Sequence, residues 1–285
     1  MALLASTPRL VKANPPPDRG HAALSGAEKT ATPPTPDPAP QPEAPAATVR
    51  DADPVGELPG LQQTFQDTVP FLNRSFPLPP GEWTSIIRAA DPAKPPSPAF
   101  SRLVLLRHDG PVLTGLLFLY GNRKDQPSPV GFKIVPTCDR SDVTLSTVRA
   151  AQLMGRQDCL TVAWDRTRPW ATMTNTLVGQ IATTLDAEGV TPPPVLVTAD
   201  VVVADTQYVL QAIAYFNPDR AGVPPDLATL RSQSGWAAIN VGRDPAKLAY
   251  AERVRAWAET YRTALLQLLN EKAAPETPVS IPAEP

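Results

Sequence analysis

Histidine is nearly missing from this chain: His21 and His108 are the two in 285 residues. A Ser-His-Asp or Cys-His catalytic arrangement would have to use His108, which sits in a His-Asp-Gly-Pro turn, because His21 falls in a proline-rich arm. Cysteine is as scarce, with Cys138 and Cys159 alone. With no close Cys or His pair, the four ligands of a structural zinc site cannot be assembled, and the Cys-x-x-Cys redox motif does not occur. Gly-x-Ser-x-Gly elbows, phosphate-binding Walker loops and dinucleotide fingerprints are missing too. The sequence therefore assigns no catalytic residue, no metal and no cofactor.

Basic charge is not in excess: 26 Lys and Arg face 28 Asp and Glu, for a net charge of −2. The basic residues are scattered, whereas binding a polyanion needs them clustered, so nucleic acid is excluded as a partner. Long apolar runs are missing as well. Val112–Tyr120 is among the longest and falls well short of the roughly 20 residues that span a bilayer, so no transmembrane segment is expected.

Proline is abundant, with 37 residues, 13 of them in the first 60. Few aromatic or long apolar side chains accompany them there. Such a segment cannot bury enough surface to offset chain entropy, so residues 1–60 read as a disordered Pro/Ala-rich arm. Semi-extended proline-rich chain suits a spacer. Residues 61–272 read as one folded domain, and 273–285, rich in proline, as a disordered tail. Met1–Ala13 holds a short apolar patch without a basic region before it, which makes it a poor leader, or the remnant of one if the start lies upstream.

Within the domain, Leu61–Leu72 reads as a short helix or an ordered lead-in, its apolar residues carrying a weak helical phase. After a Pro-Leu-Pro-Pro-Gly turn, a strand is expected with Trp83, Ser85 and Ile87 on one face. Ser101–Arg107 and Val112–Tyr120 flank an Asp-Gly turn, the pattern of a hairpin. Val130–Val135 reads as a strand, Ser146–Met154 as a short helix ended by Gly155, and Cys159–Trp164 as a strand. A helix starts at Thr172 or Thr174 and ends at Gly189. Two strands follow, Val195–Val203 and Tyr208–Phe216, and Trp236–Val241 reads as a short extended piece. The last helix runs from the Asp244 cap, with Pro245 at its first position, to about Glu271. Its outer face carries a Glu252, Arg255, Glu259, Arg262 ladder. Strands first, then helices mixed with strands, give an α+β class: a largely antiparallel sheet with two or three packed helices.

The chemistry concentrates around the two cysteines, 21 positions apart. Either they close a structural disulfide from a loop to the following strand, or they are reduced thiols in a cytosolic protein; the compartment decides. Asp139, Asp142, Asp158 and Asp165 surround them, with Arg140, Arg156, Arg166, Arg168, Trp164 and Trp170. Trp164, Trp170, Asp158, Asp165, Arg166 and Arg168 form the candidate ligand-binding set. Carboxylates beside aromatics can cleave glycosides when they stand about 5–10 Å apart, and tryptophans can offer stacking faces, although both residue types more often serve surface pairing and cores.

Phe76-Pro77-Leu78-Pro79-Pro80-Gly81-Glu82-Trp83, the two mid-chain cysteines, Tyr215-Phe216-Asn217-Pro218, and Ser234-Gly235-Trp236 before a terminal Asp-Pro helix resemble uncharacterised exported proteins of proteobacteria, over roughly residues 76–270. The resemblance implies a place in the periplasm or cell envelope and supplies no activity. The expected role is non-enzymatic binding or structural work in the envelope, with an envelope protein or glycan as partner. A glycan hydrolase built on the carboxylates near the cysteines and a cytosolic protein-interaction module are the alternatives.

Overall fold

The computed structural model describes residues 58–94, 96–226, 228, 230–270, 282, 284 and 285. The arm expected over 1–60 lies almost wholly outside these residues, as does most of the tail expected over 273–285. Ten strands are described: β1 (Thr64–Phe65), β2 (Thr68–Phe71), β3 (Arg74–Pro77), β4 (Trp83–Asp91), β5 (Phe100–Asp109), β6 (Val112–Asn122), β7 (Leu145–Ala151), β8 (Gln157–Arg166), β9 (Val195–Ala204) and β10 (Val209–Phe216). The described helices are α1 (Leu177–Ala187), α2 (Ala238–Val241) and α3 (Pro245–Leu269), beside four short 3-10 turns.

Eight strands form one antiparallel sheet in the order β1-β4-β5-β6-β10-β9-β8-β7, and β2 and β3 make a separate hairpin. The α+β class expected from the sequence is what the chain adopts. The Asp109-Gly110 turn joins β5 to β6 as expected, with Gly110 at a φ of 53° that a Cβ would resist.

The sheet has two different faces. Val195, Val197, Ala199, Val201 and Val203 of β9 all enter the main core, as their alternation predicts, with Leu160, Val162 and Trp164 of β8 and Leu210, Ala212, Ala214 and Phe216 of β10. α3 covers this face. Its Ala251, Val254, Ala258, Tyr261 and Leu265 are buried in the same core, and the Asp244 carboxylate caps its first turn by accepting from the Lys247 N–H. The opposite face carries two smaller clusters. Ile181 and Leu185 of α1 pack there on Val104, Leu106, Leu116 and Leu196, and Phe132 packs on Val202, Ala204 and Val209.

The structure corrects several local expectations. Leu61–Leu72 is not helical: Val69 and Phe71 are buried while Thr68 and Pro70 are exposed, a period of two that places them in β2. Trp83 and Ile87 do not share a face. The register slips between Ser85 and Ile87, so Trp83 joins the α3-side core while Ile86 and Ile87 join the α1-side cluster. Val130–Val135 forms no strand; the Val135 N–H donates to the buried Gln157 side chain instead of a ladder.

Ser146–Met154 is no helix either. Leu145–Ala151 pairs with β8, and the positive φ behind it belongs to Met154 rather than Gly155. Trp236–Val241 is not extended, since Ala238–Val241 makes one helical turn. α1 begins later than expected, at Leu177, where the Thr176 hydroxyl accepts from the Gly179 N–H. Arg262 leaves the outer ladder of α3 and turns to the sheet, where it binds Asp158; Glu252 and Arg255 keep their pairing at 2.6 Å.

The two ends of the sheet also differ. β1 covers β4 over only two residues. At the other end six of the seven residues of β7 pair with β8, interrupted by a bulge at Arg149, whose guanidinium reaches Glu259 of α3 at 2.5 Å.

Candidate functional site

Cys138 and Cys159 are joined by a disulfide, with Cα atoms 5.2 Å apart. Cys159 belongs to β8, on the face away from α3, and Cys138 ends the 3-10 turn Pro136–Cys138. The bond therefore holds that turn flat against the sheet. Two further anchors help it. The Gln157 amide accepts from the Val135 N–H at 2.8 Å and donates to the Lys133 carbonyl at 2.9 Å. Phe132 is buried against Val202 and Val209. Together these turn a strandless segment into a fixed wall.

The wall delivers Thr137 to Asp200. The Thr137 hydroxyl donates to Asp200 Oδ2 at 2.7 Å, and Gln211 Nε2 donates to Asp200 Oδ1 at 2.8 Å. Asp200 interrupts the apolar β9 and is buried. Burial pushes its carboxyl above the usual range, against the opposing pull of Gln211, Thr137 and the field of Arg140. Thr161 lies directly across from Asp200 on β8, and its buried hydroxyl has no hydrogen-bond partner among the described residues.

Trp170 and α1 build the second wall. Trp170 meets Tyr215 edge-on at 5.9 Å. Burial raises the Tyr215 phenol, and the Asp165 and Asp200 charges raise it further. Between the walls, Phe118, Tyr120, Gln211, Ile213 and Tyr215 are half-buried. Tyr120 stacks on Phe100 at 5.1 Å and on Phe118 at 6.5 Å, and burial beside Asp91 pushes its phenol up to about 12. A largely apolar, aromatic floor with a few fixed polar groups is the usual make-up of a small-ligand surface.

Of the six residues singled out in the sequence, Asp165 and Trp170 reach this face. Asp165 is raised by burial, against its bond from the Arg166 N–H and the influence of Trp170, Arg231 and Arg140. Trp164 sits on the other face, 2% exposed, between the guanidinium groups of Arg231 at 4.7 Å and Arg166 at 5.6 Å. Trp170 is also 2% exposed, so neither indole offers a bare stacking plane.

Asp158 lies on the α3 face, bound by Arg262 and Arg156. Arg168 is exposed and borders a surface depression with Trp170, Asp186 and Thr191. Asp158 and Asp165 are seven positions apart on the regularly paired β8. They therefore face opposite sides of the sheet and cannot flank one bond. Asp165 and Asp200 do share a face. Asp200 pairs with Thr161, four residues from Asp165, which puts the two carboxylates about 13 Å apart along the strands. That exceeds the span of a glycosidase pair, at most about 10 Å.

The residues that sequence reasoning passed over are Thr137, Gln157, Asp200 and Gln211. Asp200 carried a signal: it is the single charge within the apolar run Val195–Ala204, where an ionisable group needs partners.

No protein-family model, curated protein or solved structure matches the chain. Among the described residues no helix is long and apolar enough to cross a membrane.

Proposed function

We propose that the chain is a non-catalytic binding or structural domain of the bacterial cell envelope, working in an oxidising compartment such as the periplasm. The observation that carries this reading is the Cys138–Cys159 disulfide. Such bonds persist outside the cytoplasm and are rare where thiols are kept reduced. Here the bond does more than close a loop, since it fixes the wall that brings Thr137 to Asp200. The half-buried floor between that wall and α1 is the surface offered to a partner, with an envelope protein or glycan as the class expected.

The test is intact-mass analysis of protein taken from its native cells, alkylated without reduction, alongside fractionation of those cells. Cys138 and Cys159 unalkylated in an envelope fraction support the reading. Two alkylated thiols in a cytosolic fraction overturn it.

A further inference from the structure

A second surface lies on the α3 side of the sheet, far in sequence from the cysteines, and a segment of the chain already occupies it. The Trp257 indole N–H donates to the Pro282 carbonyl at 2.8 Å. The Glu284 carboxylate meets Arg220 at 3.3 Å and Arg107 at 3.9 Å. Glu284 and Pro285 line a small cleft together with Thr114, Phe216, Asn217 and Tyr250. Trp257 is held for this contact by an edge-on Phe216 at 4.9 Å and a stacked Tyr261 at 5.1 Å. Arg107 is likewise fixed, donating to the Pro80 carbonyl at 2.6 Å and lying over the Trp83 ring at 5.1 Å.

We propose that this cleft is a peptide-recognition site for an acidic segment flanked by prolines, and that Pro282–Pro285 is its tethered, displaceable occupant. The chemistry matches on three counts. A fixed indole N–H reads a backbone carbonyl, two guanidinium groups read one carboxylate, and an aromatic border suits proline rings, whose pre-set backbone costs little entropy to bind.

The tether is long enough to let go. Trp257 and the last residue of α3, Leu269, are about 18 Å apart along the helix, whereas the twelve residues 270–281 can reach about 40 Å. The segment can thus leave the cleft without unwinding α3. The contact works as a built-in competitor: a partner presenting the same chemistry must displace it.

The experiment titrates a fluorescent peptide of residues 278–285 against the full chain and against the full chain carrying Glu284→Lys, whose own segment is repelled by Arg220 and Arg107. The variant should bind the peptide about tenfold more tightly than the unaltered chain, the ratio reached when the tethered segment's local concentration is about ten times its own dissociation constant. A second substitution, Arg220→Gln, introduced into that variant should weaken binding again, as should replacing the glutamate of the peptide by glutamine. Circular dichroism of each variant separates lost recognition from lost fold. If a folded Glu284→Lys chain binds no peptide, the contact is mere packing and the proposal fails. A concentration-dependent dimer of the unaltered chain that Glu284→Lys dissolves would place the segment in a neighbouring copy and overturn the intramolecular assignment.

Discussion

Thr137 and Asp200 are 63 positions apart in sequence, yet their side chains meet at 2.7 Å. They meet because Thr137 directly precedes Cys138, and Cys138 is bonded to Cys159 on the strand beside Asp200. Redox state, loop position and the environment of a buried carboxylate are thus one coupled feature.

Breaking the disulfide should destabilise the domain by about 3 kcal/mol, the chain-entropy value for a loop of this length. Urea unfolding of Cys138→Ser and Cys159→Ser chains, compared with the oxidised protein, checks the size. Hydrogen exchange at Val135–Asp139 should quicken in both variants, while exchange in α3 stays slow.

Asp200 carries a pH signature of its own. Burial raises its carboxyl above the unfolded value, so the folded state holds its proton at pH values where the unfolded chain has lost it. Its contribution to stability therefore falls as pH rises from the unfolded pKa through the folded one. Asp200→Asn should remove that fall. Gln211 keeps a carbonyl to donate to, and the Thr137 hydroxyl can rotate to accept from the new amide. The variant should gain stability relative to the unaltered chain between acid and neutral pH, read as a flatter curve of unfolding midpoint against pH.

Asp158 shows the opposite sign. Burial pushes its carboxyl up, but the bonds from Arg262 and the fields of Arg262, Arg149 and Arg156 outweigh it and hold it below the usual range. Its contribution is present above the unfolded pKa and is lost as pH falls through the folded one. Arg262→Leu leaves the buried carboxylate with only the longer bond from Arg156, at 3.4 Å, and should cost about 3 kcal/mol. Adding Asp158→Leu should recover much of that loss, which a double-mutant cycle by urea denaturation would measure.

Gly179 permits α1 to dock. A Cβ at that position would come within 2.0 Å of the Met173 carbonyl oxygen, a backbone atom that cannot turn aside. Gly179→Ala should cost about 1–3 kcal/mol by overpacking. Because α1 forms one wall of the floor around Tyr215, the same change should alter exchange at Trp170 and Leu177–Ile181, with β9 unaffected.

The parts of the fold legible in the sequence are those set by local periodicity and turn chemistry. The alternation of Val195 to Val203, the Asp-Gly hairpin and the Asp244-Pro245 helix start each carry their own signal, and each forms as expected. Ser146–Met154 misled because β7 is an edge strand: its burial alternates weakly, and pairing with β8 settles its state over local preference. Trp83 and Ile87 misled because a bulge has no sequence mark there. The cysteine region was visible as a centre of interest, but its true members were not. A strand places alternate residues on opposite faces, so the cluster Asp158, Trp164, Asp165 and Arg166, compact in sequence, is divided between two surfaces. Thr137, Asp200 and Gln211 are brought together by register and a cross-link, which no local reading provides.

The bulge at Arg149 has a consequence for how this protein meets others. An edge strand of seven residues is a template on which further chains can hydrogen-bond, and an unguarded one invites fibrils. Here the edge is kinked, and its outlying arginine is tied back to Glu259. Growth of the sheet by adding strands is disfavoured at the β7 end. A partner at that end must therefore approach through the faces of the sheet and the clefts beside α3, where side chains rather than backbone decide which molecule is admitted.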